Sequence, residues 1–513
     1  MSGNESVTAS PLSVLSERAI AAPDEIVLIA GDTRWTAGSL LHGTQRLAAA
    51  LASRGVRPGD RVAIHMYNIA ETAIAYLACL RLGAIAAPLN IRFKTEELAH
   101  WVGRLTPALY LGQAELYESF AGVPQGLLPD ERRFSVGTTP HAVGTLPDAV
   151  GTWRELIDSA PAEQIFGPHD PDTPAVLLST SGTTSGRGKL VVWTHRTLAS
   201  LGNAAPARGY VNGSVRALAT PMMHASGVIA LTSTCLTPGC MLVLLPKFEP
   251  DLVLDAIEQH GCTGLGGLPF MYSALTQRQA EEPRDVSSLQ LCTVVGDTCP
   301  AEIAQSFQRE FGLPPLGLWG STEEPGATIP ASRVGPFSRL AAGVEARVVN
   351  DAGDSVPDGE TGELWLRSAS TTPGYWEGPG MIAHLPGGVF RTGDIVRMTG
   401  GDEFEYIARK KDIIVRGGSN ISPIEVEDVL RTCPFVVDAT VAGIPDPVLG
   451  QKVGALLVLV GDVTDEVIPV IIGTARQTLA DYKVPEVVLL ATELPRAAST
   501  KIDRKAVAEI LAQ

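Results

Sequence analysis

Apolar residues recur at helical spacing across residues 39–54, at Leu40, Leu41, Leu47, Ala48 and Leu51, and the pattern stops at Gly55. The period then changes: after the turn Pro58-Gly59-Asp60, Val62, Ile64 and Met66 alternate as in a strand. Residues 71–82 return to helical spacing and close at Gly83, and 84–89 read as extended up to Asn90. Thr95 opens a further helix, with Glu96 and Glu97 near the positive end of its dipole. The same rhythm predicts strands at 175–178, 190–193, 215–219, 241–245 and 291–295, and helices from Asp251 and over 300–311. Such alternation predicts an α/β chain with a largely parallel sheet and helices on its faces. Residues 121–172, richer in Pro, Gly and short polar segments, read as a connector between sub-domains. From Val344 short strands and turns take over, at 346–349 and 362–367. Past Lys411 follows an α/β unit of about 100 residues, a common domain size. Its predicted elements are a helix from Glu425, strands at 437–442 and 454–460, a helix ending at Leu479 and a last strand at 487–490.

Composition narrows what this chain can bind. Its 513 residues have room for about two to four structural units. With 45% hydrophobic and 19% charged residues it is ordinary for a globular protein. A formal net charge of −16 argues against nucleic acid as a partner. An anionic ligand would need a local positive site set against the overall field. The seven cysteines (Cys79, Cys235, Cys240, Cys262, Cys292, Cys299 and Cys433) form no C-x-x-C pair. Their odd number and scatter speak against a disulfide framework or a zinc site and for buried thiols in a reducing compartment. The start, Met1-Ser2-Gly3-Asn4-Glu5-Ser6, lacks the basic-then-apolar order of a signal peptide. No apolar run reaches the ~20 residues of a membrane span, and Arg81 interrupts the most apolar helix. The expected setting is cytoplasmic.

Candidate chemistry concentrates between Leu178 and Leu190, where hydroxyls and glycines alternate up to a single lysine: Ser179-Thr180-Ser181-Gly182-Thr183-Thr184-Ser185-Gly186-Arg187-Gly188-Lys189. Glycines let successive N–H groups converge on an anion, and hydroxyls with a lysine complete a polyphosphate cradle; a solvated turn fits the loop alone equally well. It is not a P-loop, because Gly182 to Gly188 is one residue too long, Leu190 follows the lysine and a second strand follows the loop. Trp319-Gly320-Ser321-Thr322-Glu323-Glu324 ends a strand-like run with carboxylates at its tip, where α/β folds gather ligands. A carboxylate beside phosphates is a natural Mg²⁺ ligand. Arg391-Thr392-Gly393-Asp394 puts a carboxylate on a turn, suited to ribose hydroxyls. A charged turn runs from Tyr406 to Asp412, and Lys501 lies in a small-residue loop near the C-terminus.

Taken together and in this order, these segments resemble the adenylate-forming superfamily of acyl-CoA synthetases, peptide-synthetase adenylation domains and luciferases, over nearly the whole chain. Thr180-Ser181-Gly182-Thr183-Thr184 with Lys189 is similar to the family's phosphate loop, Trp319 to Glu323 to its Y/W-G-x-T-E segment, and Arg391 to Asp394 to its T-G-D. Arg409-Lys410-Lys411-Asp412 with Gly417-Gly418 resembles its hinge and the start of its small domain, and Lys501-Ile502-Asp503-Arg504 its G-K-I-D-R end. The resemblance implies a large N-terminal domain, 1–410, of layered sheets and helices with a distorted β-barrel subdomain. A small mobile α+β domain, 411–513, would be hinged at Lys411. It further implies that a carboxylic acid attacks the α-phosphorus of ATP, releasing pyrophosphate, and that CoA then displaces AMP. By the same carry-over the 180–189 loop holds the departing phosphates, Thr322 contacts the α-phosphate and Glu323 binds Mg²⁺. Trp319 stacks on adenine, Asp394 and Arg409 hold the ribose, and Gly296, Asp297 and Thr298 belong to the nucleotide site. Lys501 bridges carboxylate and α-phosphate, a role that suits its compact charge. After the small domain turns, Gly417 and Gly418 line the thiol channel.

His224, in Pro221-Met222-Met223-His224-Ala225-Ser226-Gly227, resembles the family's P-x-x-H-x-x-G, where an aromatic residue gates the acyl pocket. Met223, His224 and Ala225 offer no carboxylate for a substrate ammonium, so an α-amino acid is disfavoured. The pocket segments are small: Ala225-Ser226-Gly227, Gly264, Gly266, Gly267, Gly320 and Ser321. They imply room for a sizeable hydrophobic acid. The segment Leu89-Asn90-Ile91-Arg92-Phe93 resembles a CoA-ligase segment and points to CoA as acceptor. Four positions depart from the pattern: Gly188 replaces a proline, and Asp297, Ala408 and Thr500 replace glycines. An adenylase serving a carrier protein or a separate ligase therefore stays open as an alternative, and a non-catalytic nucleotide sensor as a minor one.

Overall fold

The computed structural model describes residues 9–137, 150–161, 166–180, 188–417, 419–461, 465–496 and 502–513. Two large sheets dominate, where the periodicity suggested one. The first has seven strands in the order Pro315–Leu318, Leu291–Val295, Gly264–Gly267, Val215–Leu218, Met241–Leu244, Ile26–Ala30, Thr33–Thr36, all parallel except the last pair. The second has nine strands. Its parallel part runs from Pro174–Ser179 through Ile85–Pro88, Arg61–His65, Leu109–Gln113 and Arg133–Val136 to Gly151–Thr152. Leu190–Thr194, Gly374–Gly378 and Met381–His384 extend its other side antiparallel.

The main core lies around three helices, Ala37–Ser53, Ala70–Leu82 and Ala225–Leu236, packed with strands of both sheets. A reciprocal cap starts the first: the Ser39 N–H donates to Thr36 Oγ1 (3.1 Å), and the Thr36 N–H to Ser39 Oγ (2.8 Å). The second is buried almost all round and stops at Gly83, whose φ of +78° is left-handed.

The segment expected as a connector, 121–172, instead supplies two strands at the edge of the nine-stranded sheet. The reason is Arg133, 1% exposed, whose guanidinium donates to the carbonyls of Val123 (2.8 Å) and Leu128 (2.7 and 3.1 Å) and ties the irregular chain down. The subdomain expected as a distorted barrel is a six-stranded antiparallel sheet. Its order is Thr328–Ile329, Phe337–Leu340, Glu403–Arg409, Phe390–Gly400, Thr361–Arg367, Glu345–Val349, and its edges are not paired with each other among the described residues.

The last hundred residues form a five-stranded sheet, centred on Val436–Asp446 and Gly450–Leu459, with helices Pro423–Arg431, Ile468–Thr478 and Arg504–Leu511. The final helix was not anticipated. Asp503 caps it, accepting from the Lys505 and Ala506 N–H groups (3.1 Å each), and Arg504 pairs with the buried Glu427. All seven cysteines are free and six are buried. Among the described residues no helix is long and apolar enough to cross a membrane.

Candidate active site

A cleft of about 2080 Å³ opens where strands of the seven-stranded sheet end. Its lining includes the residues just past five of them: Ala219 and Thr220, Pro246 and Lys247, Leu268, Gly296, and Trp319 with Gly320. Parallel strands bring their C-terminal ends to one side, which gathers residues from distant parts of the chain.

The candidate phosphate loop joins two antiparallel strands, Pro174–Ser179 and Leu190–Thr194. Its base is fastened: the Thr180 N–H donates to the Lys189 carbonyl (2.8 Å), and the Lys189 N–H to Thr180 Oγ1 (3.2 Å). Ser181, Gly182, Thr183 and Thr184 lie outside the described residues. Gly188 has a steric cause, since a Cβ there would sit 2.3 Å from the Thr180 carbonyl oxygen and 2.9 Å from the Trp101 ring.

From Lys189 a contact chain leads to Glu323. The ammonium lies 4.1 Å from the centre of the Tyr375 ring, and the Tyr375 hydroxyl donates to Glu323 Oε1 (3.1 Å). Ser321 Oγ donates to the other carboxylate oxygen (2.9 Å). Burial, with Glu323 alongside, raises the Tyr375 phenol and keeps it a donor. Sequence reading missed Tyr375, which reaches the loop through pairing with Val191. The neighbouring carboxylate behaves differently. Glu324 is 1% exposed, held by Ser368, Ser370 and Thr371, and burial raises its pKa; it does not line the cleft. Thr322 does, and its carbonyl accepts from Trp193 Nε1 (2.7 Å).

Asp394 and Arg409 face each other in register on neighbouring strands. Arg409 Nε lies 3.0 Å from Asp394 Oδ1, and Trp319 Nε1 donates to Oδ2 (2.9 Å). Arg409 also donates to the Thr392 carbonyl (3.0 Å). Trp319 therefore lines the cleft, orients Asp394 and packs edge-on against Phe404 at once. Gly296, at φ +83°, turns the chain so that Asp297 and Thr298 also line the cleft. Asp297 lies within electrostatic reach of Arg504 in the C-terminal domain, whose nearer partner is Glu427.

That domain closes the cleft with Arg496, Ile502, Asp503, Arg504 and Lys505, and Lys411 lies on its rim. Lys501 and Gly418 are outside the described residues. Gly417, at φ +56°, donates to the Leu449 carbonyl (2.8 Å) and is not among the lining residues.

Of the residues expected at the acyl pocket, His224, Ala225 and Ser226 line the cleft at the start of the helix Ala225–Leu236, together with Gly266, Gly320 and Ser321. Gly227, Gly264 and Gly267 do not. A Cβ on Gly227 would lie 2.4 Å from the Met222 Cα, so that glycine serves close packing. The space above Gly264 is filled by Arg216: a Cβ there would lie 1.5 Å from Arg216 Nη1. A Cβ on Gly267 would meet Met271 and Tyr272 at ordinary contact distance. Arg208, Tyr210 and Arg216 line the cleft instead and were not foreseen.

Residues 15–376 match the family described as AMP-binding enzyme, and 425–501 match the AMP-binding enzyme C-terminal domain. The chain belongs to the AMP-binding enzyme family. It is 32% identical to the medium-chain fatty-acid–CoA ligase of Escherichia coli (strain K12), over 95% of this chain and 88% of that one. It is 31% identical to the feruloyl-CoA synthase of Amycolatopsis sp, over 94% and 96%. The fold superposes on o-succinylbenzoate coenzyme A synthetase from Bacillus subtilis in complex with ATP and magnesium ion. There the TM-score is 0.80 at 27% identity, covering 96% of this chain and 98% of that one. The chain is thus an acyl-CoA synthetase-like, AMP-forming acid–thiol ligase.

Proposed function

We propose that this ligase activates a hydrophobic carboxylic acid in the mouth of the cleft, with the roles divided among the residues assembled there. The observation that carries this reading is the convergence of Thr180, Lys189, Thr322, Glu323, Asp394 and Arg409 on one cleft that the small domain covers. The fastened base of the phosphate loop holds the pyrophosphate that leaves. Asp394, oriented by Trp319 and Arg409, accepts from the ribose hydroxyls. Glu323 suits Mg²⁺, an ion ordinarily held by one or two carboxylates plus substrate phosphates: it is a cleft-facing carboxylate whose two oxygens are aimed by Ser321 and Tyr375. Bound magnesium offsets the charge that develops on the phosphates. Lys501 enters with the small domain and steadies carboxylate and α-phosphate. Rotation about Lys411 then exchanges it for Gly417 and Gly418, beside which the CoA thiolate attacks the acyl carbonyl and expels AMP.

The acyl end supports a hydrophobic acid, since Ala217, Leu218, Ile229, Ala230 and Leu242 supply its wall. The free thiols support a reducing, cytoplasmic setting. The test is pyrophosphate release with ATP, Mg²⁺, CoA and a panel of amino acids, benzoates, fatty acids and bulky ring acids, with products read by mass. Acyl-CoA from hydrophobic acids is expected. Acyl-AMP that accumulates without thioester would point to a carrier protein or partner ligase, and preference for a small polar acid would overturn the assignment.

A further inference from the structure

One of the charged side chains lining the cleft is buried and joins no ion pair among the described residues. Arg216, 5% exposed, lies on the strand Val215–Leu218 and lines the cleft beside Gly266 and Thr293. The fold makes room for it twice. Its register partner Gly264 leaves the space that Nη1 occupies, and Gly209, at φ +82°, would carry a Cβ only 2.8 Å from the same atom. The Tyr210 ring centre lies 5.1 Å from its Cζ. None of the ion pairs among the described residues includes Arg216. Its neighbour Arg208 is settled differently, donating twice to the Thr328 carbonyl (2.6 and 2.9 Å) with Glu324 nearby.

A buried guanidinium facing a carboxylate gains two charge-assisted bonds, whereas one left without an anion keeps its desolvation cost. We infer that Arg216 receives a second carboxylate, at the end of the acid remote from the carboxyl that is activated. This rests on the functional reading above, in which activation occurs at the strand ends. Four residues separate Arg216 from Thr220 at the mouth, roughly 13 Å at the rise of a strand. An extended acid of roughly ten carbons, or a fused-ring acid of similar length, spans that distance. The apolar wall covers the middle of such a molecule, and the two charged ends meet Arg216 and the nucleotide.

The experiment compares, on the wild-type enzyme, α,ω-dicarboxylic acids of about 8 to 14 carbons with the monocarboxylic acids and ω-amides of equal length, by pyrophosphate release. A preference for the diacid of roughly 10- to 150-fold in kcat/KM is expected at the matching length, the discrimination of a charge-assisted hydrogen-bond pair. Arg216→Met is expected to invert it by raising KM for the diacid, and Arg216→Lys to retain part of it. Equal use of monoacid and diacid at every length by the wild type overturns the inference, whatever becomes of the variants. Equal use of diacid and ω-amide overturns the charge requirement and with it the second carboxylate. Absence of pyrophosphate release with any acid defeats the functional reading instead, and is distinguished by that blank.

Discussion

The two ends of the cleft treat charge in opposite ways. At the end proposed for the nucleotide the groups are held before a ligand arrives: Asp394 by Trp319 and Arg409, Glu323 by Ser321 and Tyr375, Thr180 by Lys189. At the end proposed for the acid Arg216 is seated against an aromatic ring in a space vacated by glycine, with no carboxylate paired to it among the described residues. A site for an invariant ligand gains from preorganised dipoles, which need no rearrangement when charge develops. A site that selects among acids can leave one charge for the substrate to neutralise, and selectivity follows because a wrong acid leaves that charge buried.

The sharpest way to break the contrast is at its nucleotide end. Lys501→Ala is expected to lower acid-dependent exchange of pyrophosphate into ATP by roughly 100- to 1000-fold, the scale of losing one preorganised electrostatic stabiliser. Intact thioester formation from supplied acyl-AMP would show that the loss belongs to the first half-reaction. Asp394→Ala comes next. It strips Arg409 and Trp319 Nε1 of their shared acceptor, and KM for ATP is expected to rise about 10- to 100-fold, measured at saturating acid. An unchanged KM would mean that the triad is only architectural.

At the acyl end, Gly264→Ala pushes a methyl group into the Arg216 guanidinium. A cost of about 1–3 kcal/mol in urea unfolding is expected, with a shift of acid preference away from diacids. Destabilisation without a change of preference would separate the packing of Arg216 from its role in recognition.

The last effect leaves catalysis aside and concerns a charge kept out of the fold. Burial pushes His65 down to about 4, and its Nδ1 lies 3.1 Å from the Tyr110 hydroxyl. The folded state holds His65 neutral while the unfolded chain takes up a proton below about pH 6.5, so stability from this group is complete above that pH. It is lost as pH falls towards 4, at up to about 1.4 kcal/mol per pH unit. His65→Gln is expected to flatten that part of the stability profile, read from urea midpoints between pH 4 and 7.

Much of this was legible along the chain because it is local. The helix at 39–54 has its stop in Gly55 and is observed as Ala37–Ser53, and the strands flanking the phosphate loop lie within two residues of their predicted limits. The segment around Glu323 could be picked out because hydroxyl and carboxylate sit side by side. What failed depends on pairing at a distance. The irregular composition of 121–172 suggested a connector, but Arg133 buries itself there and makes a sheet edge. Glu323 and Glu324 read alike in one dimension, and only packing turns one to the cleft and the other to Ser368, Ser370 and Thr371.

Residue types and their order therefore determined the family and the reaction, because the segments that carry them are short and contiguous in the chain. The acid is a tertiary matter. A run of small residues at 264–267 promised empty apolar space, yet Gly264 pairs in register with Arg216, and the space holds a guanidinium. No local pattern encodes that, because the two strands are separate in sequence and meet only through the hydrogen-bonding order of the sheet.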